Sequence, residues 1–384
     1  MRNATMDLRS WFVSPQSAQQ TAPQGACTGY SSTFAGRLPV VASLLPLAAA
    51  LMRLDLPSRV IANTENIRQI CGMTKRYDIV ALGELNIDLI LNDIQGFPEI
   101  GKEIIADHCT MTLGSSTAIF AANASSLGTK VAFLGLVGTD DFGDFIERSL
   151  RERGVDTGLL LRTSEHNSGI TVCMSYAQDR ANVTFPGSMN YLGYEQVKEL
   201  DFSCTKHVHI SSVFLQDQLR KDLVPILKHI RKGGATISMD TQWDPAEKWD
   251  IPWNEVLPLL DVFMPNAQEL EALTGEADLE KAIAAVSGKV KTLVVKNGSK
   301  GSIMVSEGMR RAVPALLNPE PVDCIGAGDS FNAGFVSAFV KGCTLPECQD
   351  NGNLTGAIST TAAGGTGAFS SPEAIEAAAK RFRK

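Results

Sequence analysis

The run DIVALGEL, residues 78–85, is apolar from Ile79 to Leu82 before Gly83 and carries no polar alternation there, the pattern of a strand buried on both faces. The same theme returns in VAFLGLVG (131–138), HVHISS (207–212), ATISMD (235–240), VFMPN (262–266) and TLVVKNG (292–298). Helical stretches separate these runs, at 142–153, 217–232, 267–273 and 279–287. Strands alternating with helices predict a mostly parallel central sheet covered by helices on both faces, a three-layer α/β/α sandwich. Residues 89–113 and 168–186 break the rhythm with short Thr, Val and Ile alternations and no helix, as in GITVCMSYA and NVTFPG. They are predicted to form antiparallel strands of a small accessory sheet. Such a sheet suits a lid over the strand carboxyl ends, where ligands bind in open α/β folds.

Outward from this core the chain bounds its own chemistry. At roughly 150 residues per domain, 384 residues make one large domain or two ordinary ones. With 44% hydrophobic and 20% charged residues the mixture is globular and buries a sizeable core. Lys and Arg total 35 against 42 Asp and Glu, a net charge of -7, and no basic patch is seen; nucleic acid is therefore not an expected partner. The eight cysteines form no Cys-x-x-Cys pair and have no His cluster beside them, so they read as scattered thiols of a reducing, cytoplasmic compartment. No apolar run reaches the roughly 18 residues of a membrane span. Residues 1–72 differ from the rest: Ser, Gln, Ala and Thr surround a greasy stretch at 38–52 that contains Pro39 and Pro46. They read as a poorly ordered leader or as the product of a start codon placed too early. Met73 opens MTKRYDIVALGELNIDLIL as a natural beginning, which assigns the folded domain to 73–384.

The chemistry concentrates in VDCIGAGDSFNAGFVSAFV, residues 322–340. Gly326, Ala327 and Gly328 are small and stand just ahead of an amphipathic helix. Consecutive backbone N–H groups at a helix start bind anions, helped by the positive end of the helix dipole, and small residues let a phosphate approach. Asp329 lies at the same end, where a carboxylate can take the proton of a hydroxyl while the amides hold a moving phosphoryl group. The plainer alternative is that Asp329 caps the helix.

This stretch resembles the C-terminal signature of the PfkB (ribokinase-like) carbohydrate kinase family, Asp-Thr-x-Gly-Ala-Gly-Asp-x-Phe, matched by Asp323, Gly326, Ala327, Gly328, Asp329 and Phe331, with Cys324 at the Thr position. The resemblance extends over residues 77–369. It implies a ribokinase-like fold, ATP and Mg²⁺, Asp329 as catalytic base, and Gly326, Ala327 and Gly328 as the anion hole. GELNIDLI (83–90) resembles the first strand and turn, which implies Asp88 as a sugar-hydroxyl acceptor; a turn residue is the alternative. VGTDDFGDFI (137–146) resembles a segment regarded as structural. MPNAQELEALTG carries Asn266 and Glu269 in the Asn-x-x-Glu element, which implies Mg²⁺ held largely through water; by itself the pair reads as a cap and a surface acid. VVKNGSKGS resembles the loop bordering ATP and implies Lys296, Asn297, Gly298 and Gly301 at the nucleotide edge. NGNLTGAISTTAAGGTGAF implies Asn353 and Gly365 near adenine, with tight helix packing as the alternative. Carbonyls near Asp323 and Ile325 are implied for a monovalent cation such as K⁺.

One segment departs from the pattern. Where the family shows Gly-Gly-x-x-x-Asn-x-Ala, this chain has LGSSTAIFAANASSLG: Gly114 matches, Ser115 replaces the second Gly, and Ile119 replaces the Asn. Ser115 keeps a hydroxyl for the acceptor, whereas Ile119 offers no hydrogen bond. Ribose-like recognition is thereby put in doubt, and contacts from the lid, through Arg180 or Phe185, are expected instead.

The leading expectation is a kinase that phosphorylates a hydroxymethyl group on a small sugar or sugar derivative. A nucleoside kinase of the adenosine type on the same scaffold stands beside it. A Rossmann oxidoreductase fails on position, because neither GAGDSF nor VGTDDFG follows the first strand. A catalytically dead binding protein is opposed by the intact Asp329 and its glycines. The Walker A run and the protein-kinase set are both missing. Family likeness and the exposed lid strands also lead to the expectation of a homodimer through the lid.

Overall fold

The computed structural model describes residues 76–382 except residue 95 and residues 177–179, so the leader expected at 1–72 lies outside the described residues. Six strands run parallel: β1 (Tyr77–Leu82), β4 (Val131–Leu134), β9 (Thr205–Ser211), β10 (Thr236–Asp240), β11 (Val262–Phe263) and β12 (Thr292–Lys296). Antiparallel β13 (Ser302–Ser306) and β14 (Met309–Val313) complete an eight-stranded sheet in the order β14-β13-β12-β11-β10-β9-β1-β4. Alternation along β1 explains the sandwich. Val80 and Leu82 pack into one core with Ile226, Leu227 and Ile230 of helix Leu223–Lys232. Ile79 and Ala81 pack into a second core with Phe120 of helix Ser116–Ser126 and Phe335 of helix Ala327–Val340. Each fully buried Leu or Ile contributes about 1.5–3 kcal/mol, so a strand that is apolar on both sides is stable only between two helical layers.

The structure redraws three boundaries. VAFLGLVG is two strands, because the chain leaves the main sheet at Gly135 and β5 (Leu136–Gly138) pairs with β6 (Leu161–Thr163). A side chain at Gly135 would meet the Gly83 carbonyl at 3.0 Å, so the bend needs glycine. The helix expected over 217–232 is interrupted at Asp222 into Asp217–Lys221 and Leu223–Lys232. Pro225 has no N–H for the Lys221 carbonyl, which breaks the ladder there. The accessory sheet, β3-β2-β7-β8, comprises β2 (Asn86–Asn92), β3 (His108–Leu113), β7 (Gly169–Ser175) and β8 (Arg180–Phe185). It is mixed rather than antiparallel throughout, since its central pair, β2 and β7, is parallel. The chain passes through β3, helix Ser116–Ser126 and β4 before returning to β7, and such a crossover is what parallel pairing requires.

Strand β1 pairs with β4 on one side and β9 on the other, the arrangement that opens a crevice at the carboxyl ends of an α/β sheet. Glu84, Asp240, Asn266 and Lys296 stand at or just past the carboxyl ends of β1, β10, β11 and β12. Among the described residues no helix is long and apolar enough to cross a membrane.

Candidate active site

Gly326 takes a left-handed backbone (φ 70°) and caps helix Ala327–Val340 without a side-chain hydrogen bond. Of the first-turn amides, that of Ala327 donates to the Cys324 carbonyl (3.3 Å), whereas those of Gly328 and Asp329 have no helical carbonyl to meet. A methyl group on Gly326 would lie 2.6 Å from the Gly365 Cα, and one on Gly365 would lie 2.6 Å from Ile119. Ile119, expected beside the acceptor, is buried beneath this turn and shapes it by packing. Asp323 ties the turn down by accepting from the amides of Ile325 (2.9 Å) and Gly364 (2.9 Å).

Asp329 occupies the third helical position and does not cap its own helix. Its Oδ1 accepts from the Ser116 hydroxyl (2.5 Å) and from Gln242 Nε2 (3.0 Å). Its Oδ2 accepts no hydrogen bond from the described residues. Burial, reinforced by the charge of Asp240, pushes Asp329 up to about 6. Ser116, Lys296 and Gln242 pull the other way. A carboxylate with this acidity is ionised at neutral pH and still basic enough to take a proton.

Lys296 ends β12 and pairs with Asp240, which is fully buried and also accepts from Asn332 Nδ2 (2.5 Å). Burial alone would lower the lysine, yet Asp240 and Glu269 hold it above its ordinary range. A methyl group on Gly328 would sit 3.5 Å from the Lys296 ammonium, so this cation borders the turn at the start of helix Ala327–Val340. Asn266 and Glu269 form a capping box on helix Ala267–Thr274, with Glu269 buried instead of on the surface. Burial and then Asp240 push Glu269 up to about 7. Glu84 is likewise raised to about 7 by burial, and it is bonded by the Thr117 hydroxyl and amide.

On the lid side, Asp88 accepts from Asn86 Nδ2 (2.9 Å) and packs on Gly114, where a methyl group would fall 2.2 Å from Asp88 Oδ1. Ser115 (φ 75°) donates to the Glu84 carbonyl (2.7 Å) and caps helix Ser116–Ser126. The structure thus brings Asp88, Gly114 and Ser115 together. We expect Gly114→Ala to displace the Asp88 carboxylate and raise KM for the acceptor several-fold with KM for ATP unchanged; initial-rate kinetics in both substrates check this. Arg180 opens β8 opposite Ser175, and its side chain lies outside the described residues. Phe185 is half exposed and lines a cavity of about 340 Å³ with His166 and Tyr191.

The outer loop holds its shape through Gly301 (φ 97°), whose added methyl would strike the Val313 carbonyl, and through the bond from the Asn297 amide to the Gly301 carbonyl (2.8 Å). Gly298 also has a positive φ and open space around it. Asn353 Nδ2 donates to Ser302 Oγ (3.0 Å), and the Gly365 carbonyl accepts from Asn123 (2.9 Å). Ser116, Gln242, Asp240 and Glu84 were given no role from the sequence. The one available signal was Asp240, an acid closing a buried strand run at the edge where ligands bind.

A glycine-capped helix start, a carboxylate raised by burial and a buried lysine thus meet at the carboxyl edge of a parallel sheet. The profile described as pfkB family carbohydrate kinase matches residues 76–372, and the chain belongs to that family. A ribokinase of Haemophilus influenzae is 26% identical over 297 residues, covering 75% of this chain and 94% of the relative. The structure of Arabidopsis thaliana ribokinase complexed with ribose and ATP superposes with a TM-score of 0.69 at 24% identity, over 80% of this chain and 99% of that one. The nucleoside kinase of Methanocaldococcus jannaschii gives a TM-score of 0.68 at 24% identity, over 80% and 100%. This chain is a sugar kinase of the ribokinase-like type.

Proposed function

We propose that the protein transfers the γ-phosphoryl group of ATP to a hydroxymethyl group of a small sugar or sugar derivative. The observation that carries this reading is Asp329, raised to about 6 by burial, with both its hydrogen bonds from described residues on Oδ1, in the glycine-capped first turn of helix Ala327–Val340. Asp329 takes the acceptor proton as the acceptor oxygen bonds to phosphorus, the bond to the β–γ bridging oxygen breaks, and ADP leaves. The turn Gly326, Ala327 and Gly328, chiefly through the Gly328 amide and with Lys296 beside it, stabilises the charge on the moving group. Asp88 and Gly114 orient the acceptor, with Arg180 contributing from the lid; the Ser115 hydroxyl expected there is instead bonded to the Glu84 carbonyl and the Ala118 amide and acts by fixing the turn. Asn297, Gly298, Gly301, Asn353 and Gly365 shape the nucleotide side.

Mg²⁺ is proposed to be held largely through water, because among the described residues no three His, Cys, Asp or Glu side chains group to hold a metal directly. Asp240 and Glu269 are two buried carboxylates facing one lysine, a surplus of negative charge that a divalent cation relieves. Asn266 and Glu269 are bonded to each other (2.6 Å), so they would hold the ion through water, as suits a cation that dehydrates reluctantly. Bound there, the ion supplies charge neutralisation for the phosphates. The carbonyls around Asp323 and Ile325 are the proposed K⁺ site.

A nucleoside acceptor of the adenosine type on the same scaffold is the second reading, supported by the half-exposed apolar face that Phe185 offers to a flatter ligand. An ADP-release panel of fructose, ribose, ketogluconates and adenosine, run with and without K⁺, separates the two. Turnover of adenosine alone moves the assignment to the second reading, while ATP binding without turnover on any acceptor defeats both. Equal rates with and without K⁺ remove the monovalent site. The lid exposes Phe97, Ile100, Ile105 and Val183, and the reading includes a homodimer that covers them, in a reducing cytoplasm that suits the scattered free cysteines. Light scattering should give twice the chain mass; a monomer overturns the dimer.

A further inference from the structure

Two polar side chains that carry no charge converge on Asp329 from distant parts of the chain. Gln242 Nε2 lies 3.0 Å from Asp329 Oδ1 and 2.9 Å from Ser116 Oγ, and the Ser116 hydroxyl is itself 2.5 Å from the same Oδ1. Both bonds fall on one carboxylate oxygen and leave the other uncommitted. Each side chain depends on a backbone that L-residues seldom adopt. Gln242 has φ 56°, and Ser115, immediately before Ser116, has φ 75°. Such conformations persist only where the surroundings over-determine them, and they gather at functional sites. The surroundings here do so. The Asp244 carboxylate accepts the amides of Ala246, Lys248 and Trp249 at 2.8–2.9 Å and knots the loop behind Gln242. Ser115 is held to the Glu84 carbonyl.

We propose that Gln242 and Ser116 are positioning residues for the phosphoryl transfer: they pin Oδ1 of Asp329, present Oδ2 to the acceptor hydroxyl, and keep the base in its ionised form. The proposal rests on the reading of Asp329 as base. The groups facing Asp329 set the balance that the pair corrects. Burial, Asp240 and Glu84 favour the protonated acid, while Lys296 favours the carboxylate. Hydrogen bonds donated to a carboxylate favour its charged form. Their loss therefore moves the base toward protonation, and the acidic limb of the rate profile moves to higher pH.

The test is the pH dependence of kcat, with KM for both substrates, in Gln242→Leu, Ser116→Ala and Ser116→Thr. Loss of either donor should shift the acidic limb upward by about one pH unit, from the typical strength of a hydrogen bond to a charged group. The rate should recover in part at high pH, KM for ATP should stay unchanged, and Ser116→Thr should restore the wild-type limb. A fall in kcat at every pH with the limb in place, or a limb unmoved in both variants, overturns the proposal. If Gln242→Leu fails to fold, Ser116→Ala and its threonine rescue decide alone. Full activity in Asp329→Asn would instead defeat the base itself, and is thereby distinguished from failure of the positioning pair.

Discussion

Asp329→Asn is expected to fold and to lose about 10²–10⁴-fold in kcat, the usual contribution of a general base. The amide is nearly isosteric, and its oxygen still accepts from Ser116 and Gln242, so the corner keeps its shape. What disappears is the lone pair that takes the acceptor proton. Stability should not fall with it. The folded acidity of Asp329, about 6, lies above the ordinary carboxylate value of 3.8 because burial disfavours the charge. The ionised group therefore destabilises the fold at pH values above about 6, and that penalty fades as pH falls through 6 toward 3.8. The asparagine variant, free of this charge, should melt at or above the wild-type temperature at pH 8, with the gain shrinking toward pH 5. ADP release together with thermal melts at the two pH values checks both halves. Retention of more than about a tenth of the rate contradicts a general base.

The fold was written in runs whose meaning is local. The stretch at 79–82 is apolar on both sides, and its alternate residues enter the two cores. GAGD placed Asp329 in the first turn of a helix because glycine tolerates the left-handed cap at 326. Features set by the route of the chain were not legible. That β2 and β7 run parallel follows from the crossover between them, and Thr, Val and Ile alternation is the same in either direction. Ser116 and Gln242 escaped notice for a related reason. They are 126 residues apart, and neither titrates, so only the folded sheet brings them to one carboxylate oxygen. Ile119 shows the reverse case. A family position suggested an acceptor contact, but a buried isoleucine under Gly326 and Gly365 acts by packing.

Lys296→Met should be the most destabilising single change in the site. The lysine side chain is 11% exposed and its partner Asp240 is fully buried, so removing the cation leaves Asp240 without its counter-charge and Glu269 closer to protonation. Breaking a buried pair from one side costs about 3–5 kcal/mol, because the remaining charge is uncompensated. In a domain of this size that corresponds to a fall in Tm on the order of 10 °C. The loss should depend on pH in a defined sense. Glu269 titrates near 7, and its repulsion with Asp240 is present only when it is ionised, so the destabilisation should be larger at pH 8 than at pH 5. Adding Asp240→Asn removes the orphaned charge and should recover most of the lost Tm. It should not recover the rate. The Lys296 ammonium lies within 3.5 Å of the position a methyl would take on Gly328, and loss of one preorganised charge at a transferring phosphoryl group costs about 10²–10³-fold in kcat. Thermal melts of the single and double variants, paired with kcat, separate the structural pairing of Lys296 from its contact with the transferred group. A double variant that regains both stability and rate would reduce Lys296 to a counter-ion for Asp240.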